Sequence, residues 1–277
     1  MILVDYSNLL HKGVFSHKGQ LGVHELRCII LAQILKLNKL FKKEYGRMII
    51  CLDGQKNWRL KYFKYYKWKR KQSRKVSKID WNSVYEMSKE IESELASEFG
   101  YQVIKCDIAE ADDVIARLAM ETDEKTMICS SDVDMTFHTV NSNVKVYSLK
   151  HNKIMKVDNP MQELVIGIVK GQGGKDGIPN IKSPLDTFYT GTKQKSISRE
   201  FLNRALTTEP KFFCEDKTML DRYKQNRILI DARYMPEYVV EAIENEIKSS
   251  KYFKPKKLYS YFMRKNLSNF MSDIDKF

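Results

Sequence analysis

Apolar and polar positions along this chain follow two rhythms. Short apolar runs recur at residues 1–4, 48–52 and 127–129, unbroken, and at 103–106 and 144–147, each interrupted by one lysine. Runs of this length without alternation are those of strands buried on both faces. Between the first two, residues 24–43 place Leu26, Ile30, Ile34, Leu37 and Leu40 three or four apart, the period of an amphipathic helix. Strands separated by helical segments predict an α/β fold with a mostly parallel central sheet and flanking helices. From about residue 165 the character changes. Residues 196–207 and 236–250 read as helices. The tail 254–277 is basic and amphipathic, with Tyr259, Tyr261, Phe262, Leu267 and Phe270 suited to docking as a helix. The expected division is an α/β domain over 1–165 and a smaller helical domain over 166–277, with no internal repeat.

Acids close the strand-like runs. Asp5 follows the first, Asp53 the second, Asp107 the third, and Asp132 and Asp134 the fourth. After the third comes Glu110-Ala111-Asp112-Asp113, in which Glu110 and Asp113 share a helix face while Val114, Ile115 and Leu118 form the core-seeking side. Parallel sheets bind their ligands outside the carboxyl ends of the strands. Glu110, Asp112, Asp113, Asp132 and Asp134 gathered there repel one another unless cations lie between them, so the pattern predicts a metal site. The plain alternative at each position is a helix N-cap, the commonest use of an Asp after a strand. Four such strands in succession favour the metal.

Charge sharpens the picture. The 277-residue chain carries a net +13, with a pI near 9.3. Its 43% hydrophobic and 11% aromatic content is that of a folded globular protein. A polyanion is the expected partner. A membrane surface is the rival, but no apolar run approaches the roughly 18 residues a span needs. There is also no lipidation motif. The start, Met1-Ile2-Leu3-Val4-Asp5, lacks the basic region of a signal peptide. Five cysteines without CxxC spacing read as buried thiols of a reducing cytoplasm.

The basicity is local. Residues 56–78 hold eleven bases and no acid, which leaves a net of only +2 for the rest of the chain. Six aromatics are interleaved: Trp58, Tyr62, Phe63, Tyr65, Tyr66 and Trp68. Bases beside stacking platforms suit a nucleic-acid strand. An inward-packing stripe of Trp58, Tyr62 and Tyr65 is the structural alternative. Further on, Lys170-Gly171-Gln172-Gly173-Gly174-Lys175-Asp176-Gly177 is a turn whose amides could approach phosphates, or a simple linker.

Taken together, the blocks Leu3-Val4-Asp5-Tyr6-Ser7, Cys51-Leu52-Asp53, Glu110-Ala111-Asp112-Asp113 and Ser130-Ser131-Asp132-Val133-Asp134 resemble the flap endonuclease/5′-exonuclease family in kind and order. The segment Tyr66-Lys67-Trp68-Lys69-Arg70 is similar to that family's Tyr-Lys-x-x-Arg at the base of a helical arch. The resemblance spans nearly the whole chain. It implies a PIN-like parallel sheet, an arch over the site at about 56–80, and a helical domain that grips duplex. The implied activity is removal of RNA primers and 5′ flaps during lagging-strand synthesis, with two Mg²⁺ ions that Mn²⁺ can replace. Asp5, Asp53, Glu110 and Asp113 match the tighter metal site, and Asp132, Asp134 and Asp176 match acids of the second. Lys67 and Arg70 match arch residues that contact the scissile phosphate, and Arg59, Tyr66, Lys69, Lys71, Arg74 and Lys75 are expected along the nucleic acid. Catalysis then rests on Lys67, Arg70, Asp113 and Asp132. The implied partners are DNA and RNA/DNA duplexes with 5′ ends or flaps, and replication proteins such as a single-strand-binding protein or sliding clamp, with the chain a monomer.

Two positions depart from the family pattern. Gln172 and glycines stand where a partner acid of Asp176 is expected, so the second ion has fewer carboxylates. Residues 178–195 lack the Gly-x-Gly of a helix-hairpin-helix. Two other readings stay open. Asp132-Val133-Asp134-Met135-Thr136 fits the Asp-x-Asp-x-Thr nucleophile of haloacid-dehalogenase-type phosphatases, although about 130 residues precede it. A non-catalytic nucleic-acid binder is the other, although such a protein gains nothing from carboxylates facing phosphates.

Overall fold

A computed structural model describes residues 1–19, 21–250, 252 and 258–277. The chain divides into two compact units, one built from residues 1–55, 80–157 and 241–277, the other from 56–79 and 158–240. The strands are β1 (Ile2–Asp5), β2 (Met48–Leu52), β3 (Gln102–Lys105), β4 (Thr126–Cys129), β5 (Val144–Ser148) and β6 (Lys153–Met155). The helices are α1 (Tyr6–Ser16), α2 (Val23–Tyr45), α3 (Arg59–Tyr62), α4 (Trp68–Lys75), α5 (Trp81–Ser97), α6 (Ala111–Glu121) and α7 (Pro160–Lys170). They continue with α8 (Thr187–Thr190), α9 (Arg199–Thr207), α10 (Pro210–Phe213), α11 (Lys217–Ile230), α12 (Glu237–Ser249) and α13 (Leu258–Arg264).

The first unit is a six-stranded sheet in the order β3-β2-β1-β4-β5-β6. All pairings are parallel except β5–β6. Every residue of β1, β2 and β4 is buried, because helices cover both faces, and hence these strands read as continuous apolar runs. The expected mostly parallel α/β sheet is therefore present. β6 escaped the hydrophobic pattern: it is three residues long, and Lys153 and Ile154 are exposed. α2 buries Leu26, Ile30, Ile34, Leu37 and Phe41 along one face and ends where Gly46, at φ 76, returns its N–H to the Lys42 carbonyl. Leu258, Tyr261, Phe262, Leu267 and Phe270 of the tail are buried, and the Phe262 ring packs against Phe99, Phe270 and Phe277. The docking expected of the tail is thus seen from residue 258 on for Tyr261, Phe262, Leu267 and Phe270, whereas Tyr259 is exposed; its residues 254–257 lie outside the described ones.

Strand order reverses between β1 and β4, with β2 and β3 on one side and β5 and β6 on the other. That reversal opens a crevice at the carboxyl ends of the strands. In register, Asp5 of β1 faces Cys51 of β2, and Val4 faces Cys129 of β4, so the three strands finish nearly level.

The second unit is helical. Buried Asn226 on α11 donates through Nδ2 to the carbonyls of Ile168 and Pro179, tying α11 to the end of α7 and the turn beyond it. The rings of Phe201, Phe213 and Tyr223 stack edge to face and bring α9, α10 and α11 together. Residues 56–79 belong to this unit: Phe63 and Tyr66 share a buried cluster with Ile178 and Leu229. Among the described residues no helix is long and apolar enough to cross a membrane.

Candidate active site

The site in the first unit begins with Asp5. It ends β1 and caps α1, its Oδ1 accepting from the Asn8 N–H at 2.9 Å. Its Oδ2 accepts from the Ser130 hydroxyl at 2.7 Å, and the same hydroxyl accepts from the Asp132 N–H at 3.1 Å. Ser130, directly after β4, therefore couples the ends of two neighbouring strands. Asp5 is only 5% exposed. Burial, then the charges of Asp53 and Asp132, push its carboxyl up to about 7, with the Asn8 and Ser130 hydrogen bonds opposing. The cap explains Asp5 locally, but does not explain why a buried carboxyl stands beside other carboxylates.

Asp53 is exposed at the end of β2 and accepts from the Ser7 hydroxyl at 2.6 Å and from the Ala111 N–H at 2.9 Å. The second bond draws the start of α6 against β2. Gly54 makes that approach possible. Its N–H donates to the Ala109 carbonyl at 2.8 Å, and a Cβ there would sit 2.1 Å from the Cys106 carbonyl oxygen. No larger residue fits without moving the loop that carries Glu110. Within α6, the buried Asp113 accepts the Glu110 N–H at 3.1 Å through Oδ2, while Asp112 and Glu110 are half-buried. Asp132 caps the 3₁₀ turn Val133–Val140 by accepting the Asp134 N–H at 3.1 Å; Asp134 itself is half-buried.

The carboxyl edge of the sheet thus brings together Asp5, Asp53, Asp132 and the start of α6. Among the described residues no three His, Cys, Asp or Glu side chains close into a ready-made ligand cage. The donor set is all carboxylate oxygen, with hydroxyls and amides holding it from behind. That chemistry fits a hard cation that keeps part of its water shell. Ser130, Ser7 and Gly54 are the contributors the strand-end pattern did not single out. Their signal is only adjacency to the acids, since a serine or glycine after a strand is common in any turn.

The basic segment is built in the second unit. Arg59 and Tyr66, expected along the nucleic acid, are buried. The Arg59 guanidinium lies 4.5 Å from the Trp58 ring centroid and 5.6 Å from that of Tyr66, and its Nε donates to the Leu229 carbonyl at 2.9 Å. Their packing and hydrogen bonding make them part of the frame. Of the inward stripe Trp58, Tyr62 and Tyr65 only Trp58 is buried: Tyr62 is exposed, and the half-buried Tyr65 stacks on Tyr189 at 4.7 Å, while the other rings that turn inward are Phe63 and Tyr66. Lys69, Lys71, Arg74 and Lys75 are exposed, while Lys67 and Arg70 are half-buried and approach Asp176. Asp176 sits in the glycine-rich turn, where the N–H groups of Gln172, Asp176 and Gly177 bond carbonyls within the turn. Those three amides are engaged within the turn.

A parallel sheet with acids at its switch point, together with a helical unit carrying a basic segment, defines a class of phosphodiester-cleaving protein. The chain belongs to the 5′-3′ exonuclease family. Residues 1–165 match the 5′-3′ exonuclease N-terminal resolvase-like domain, and residues 159–277 match the T4 RNase H C-terminal domain. It is a nuclease. Among its relatives is Ribonuclease H of Enterobacteria phage T4, 30% identical over 298 residues that cover 99% of this chain and 95% of that protein. The fold is also that of the bacteriophage T5 flap endonuclease solved as a pseudo-enzyme–product complex with DNA and metal ions. Identity there is 16% and the TM-score 0.63, over 89% of this chain and 97% of that one. The T5 5′-exonuclease with bound zinc ions gives 14% identity and a TM-score of 0.59, over 90% and 98%. The phosphatase reading falls: Asp132-Val133-Asp134 follows the fourth strand, not the first.

Proposed function

We propose that the chain removes RNA primers and 5′ flaps from DNA as a 5′-3′ exonuclease and flap endonuclease that depends on two Mg²⁺ ions. The observation that carries this is Asp5, a buried carboxyl held against Asp53 and Asp132 at the sheet's switch point. Such an arrangement is unfavourable until a cation offsets the charge. Asp5, Asp53, Glu110, Asp112, Asp113, Asp132 and Asp134 would hold the ions. When bound, these would activate water and stabilise the leaving oxygen. Ser130 and Ser7 orient the carboxylates, and Gly54 lets α6 bring its acids to Asp53. Lys67 and Arg70 add positive charge to the phosphate, and Lys69, Lys71, Arg74 and Lys75 follow the strand by charge. The T5 neighbour bound to DNA supports a DNA substrate with a 5′ end or flap. The chain would act as a monomer, in the cytoplasm of a bacterial host, beside other replication proteins. The test is a 5′-labelled flap substrate. Cleavage is expected with Mg²⁺ and none with chelator; equal cleavage under both conditions overturns the metal reading.

A further inference from the structure

Lys12 of α1 and Lys36 of α2 converge on one uncharged atom. The side-chain oxygen of Asn152 accepts from Lys36 Nζ at 2.7 Å and from Lys12 Nζ at 3.4 Å. Among the described residues no carboxylate pairs with either amine. The neighbouring chain offers none: residues 6–24 and 135–157 contain no Asp or Glu, and the second stretch carries Lys145, Lys150, Lys153 and Lys156. Lys12 is half-buried, and burial, then the charge of Lys36, pull its ammonium below the ordinary lysine value. Two ammonium groups held this close repel each other, and a neutral amide offsets little of that charge.

Asn152 is held firmly in this place. It ends the turn between β5 and β6 at φ 51, a left-handed conformation that Asn tolerates better than most residues, and its N–H donates to the Ser148 carbonyl at 2.8 Å. The turn follows β5, which runs parallel to β4 and, through it, to β1. It therefore lies at the carboxyl edge that also carries Asp5 and Asp132. Two bonds tie it there: the Lys150 N–H donates to the Ser131 hydroxyl at 2.7 Å, and the Ser131 N–H to the Asn8 side-chain oxygen at 3.2 Å. Asn8 lies on α1 between Asp5 and Lys12. At about 1.5 Å per residue, Lys12 stands about 10 Å along that helix from Asp5. A nucleic-acid strand rises about 3.4 Å per nucleotide, so this is about three nucleotides. We infer that Lys12, Lys36 and Asn152 form an anion site of the sheet unit that takes one backbone phosphate of the substrate, about three nucleotides from the one that is cut. The phosphate replaces the Asn152 oxygen as the shared acceptor and supplies the negative charge that the two amines lack. The inference rests on the proposed function, because it takes the acids as the point of cleavage. The plain alternative is that the lysines only brace the turn.

The tests read binding of the full chain to a 5′-flap duplex with chelator present, so no cleavage is required. Lys12→Gln/Lys36→Gln should weaken binding about tenfold and lower the log–log salt slope by about 0.7–0.9, the share of one phosphate contact. Lys43→Gln, which removes an equal charge from the exposed last turn of α2, should leave the slope alone. Asn152→Asp separates the two readings. Asp also accepts the left-handed conformation, and its carboxylate would give the amines an internal counter-ion. It should raise the denaturant midpoint of unfolding and yet weaken binding about tenfold, because the substrate must displace that charge. Methylphosphonates placed one at a time in either strand then locate the phosphate. At one position within about four nucleotides of the flap junction, wild type should lose about as much affinity as the double lysine variant has lost, and that variant should lose less than about twofold more. An unchanged salt slope in the double variant overturns the inference. So does Asn152→Asp with a raised unfolding midpoint and unchanged affinity, or a methylphosphonate series in which the losses add at every position. A chain that binds the flap duplex but does not cleave it with Mg²⁺ removes the proposed function and leaves the phosphate site standing.

Discussion

Asp5 is at once the last residue of a strand, the cap of a helix and a buried charge, and these roles constrain one another. The cap bond to Asn8 fixes Oδ1, the Ser130 hydroxyl fixes Oδ2, and burial makes both worth keeping. The acids were legible in the sequence because each closes an apolar run. The hydroxyls behind them were not, because nothing local distinguishes a serine that holds a ligand from one that merely ends a strand. Asp132→Asn is expected to abolish flap cleavage while leaving DNA affinity equal or higher, since one charge repelling phosphate is gone; full activity in that variant removes Asp132 from the site. Ser130→Ala should leave the acids in place but loosen them. Losing a support of this kind shifts metal affinity by about 10–100-fold, so the Mg²⁺ midpoint of cleavage should rise within that range. An unmoved midpoint would make Ser130 a packing residue only.

At the scale of elements, the basic segment splits into two populations that its composition could not separate. α4 has no buried residue, and Lys69, Lys71, Arg74 and Lys75 project from it into solvent. α3 and the turn after it bury Arg59, Phe63 and Tyr66. The partner that decides Arg59 is the Leu229 carbonyl, 170 positions further along the chain, and no window of sequence contains both. The two populations should answer differently to mutation. Neutralising Lys69, Lys71, Arg74 and Lys75 together should flatten the log–log salt dependence of DNA binding by about 0.7–0.9 for each phosphate left without its base. Arg59→Ala should leave that slope alone and lower unfolding stability by about 2 kcal/mol, the cost of a buried charge-assisted hydrogen bond and its ring contacts. A salt slope unchanged in the fourfold variant would leave α4 a solvated face; a slope changed by Arg59→Ala would place that residue on the substrate.

For the molecule as a whole, the α/β class and the fully buried strands β1, β2 and β4 were readable because strands buried on both faces leave an apolar signature, whereas the short, exposed β6 left none. Which distant segments share a unit was not, since that depends on partners and not on pattern. Residues 241–277 belong to the sheet unit although more than eighty residues of the other unit precede them. What holds this return is a polar knot: Arg27 Nε meets Glu94 Oε2 at 2.7 Å, Lys265 Nζ meets Glu94 Oε1 at 2.8 Å, and the Tyr261 hydroxyl donates to Glu94 Oε2 at 2.7 Å. Burial alone would raise the Glu94 pKa. The hydrogen bonds from Arg27, Lys265 and Tyr261 outweigh it and hold the group below its ordinary 4.5. A carboxyl depressed on folding contributes stability above its unfolded pKa and loses it as pH falls through the folded value. Glu94→Gln should therefore cost about 3 kcal/mol near neutrality, the scale for breaking a buried pair. The difference from wild type should shrink steadily once pH drops below about 4.5, as the wild-type carboxyl takes up its proton. Denaturant unfolding of both proteins from about pH 7 to pH 3 measures it. A gap that stays constant across that range would mean that Glu94 acts through shape and not charge, and that the aromatic packing around Phe262 closes the unit by itself.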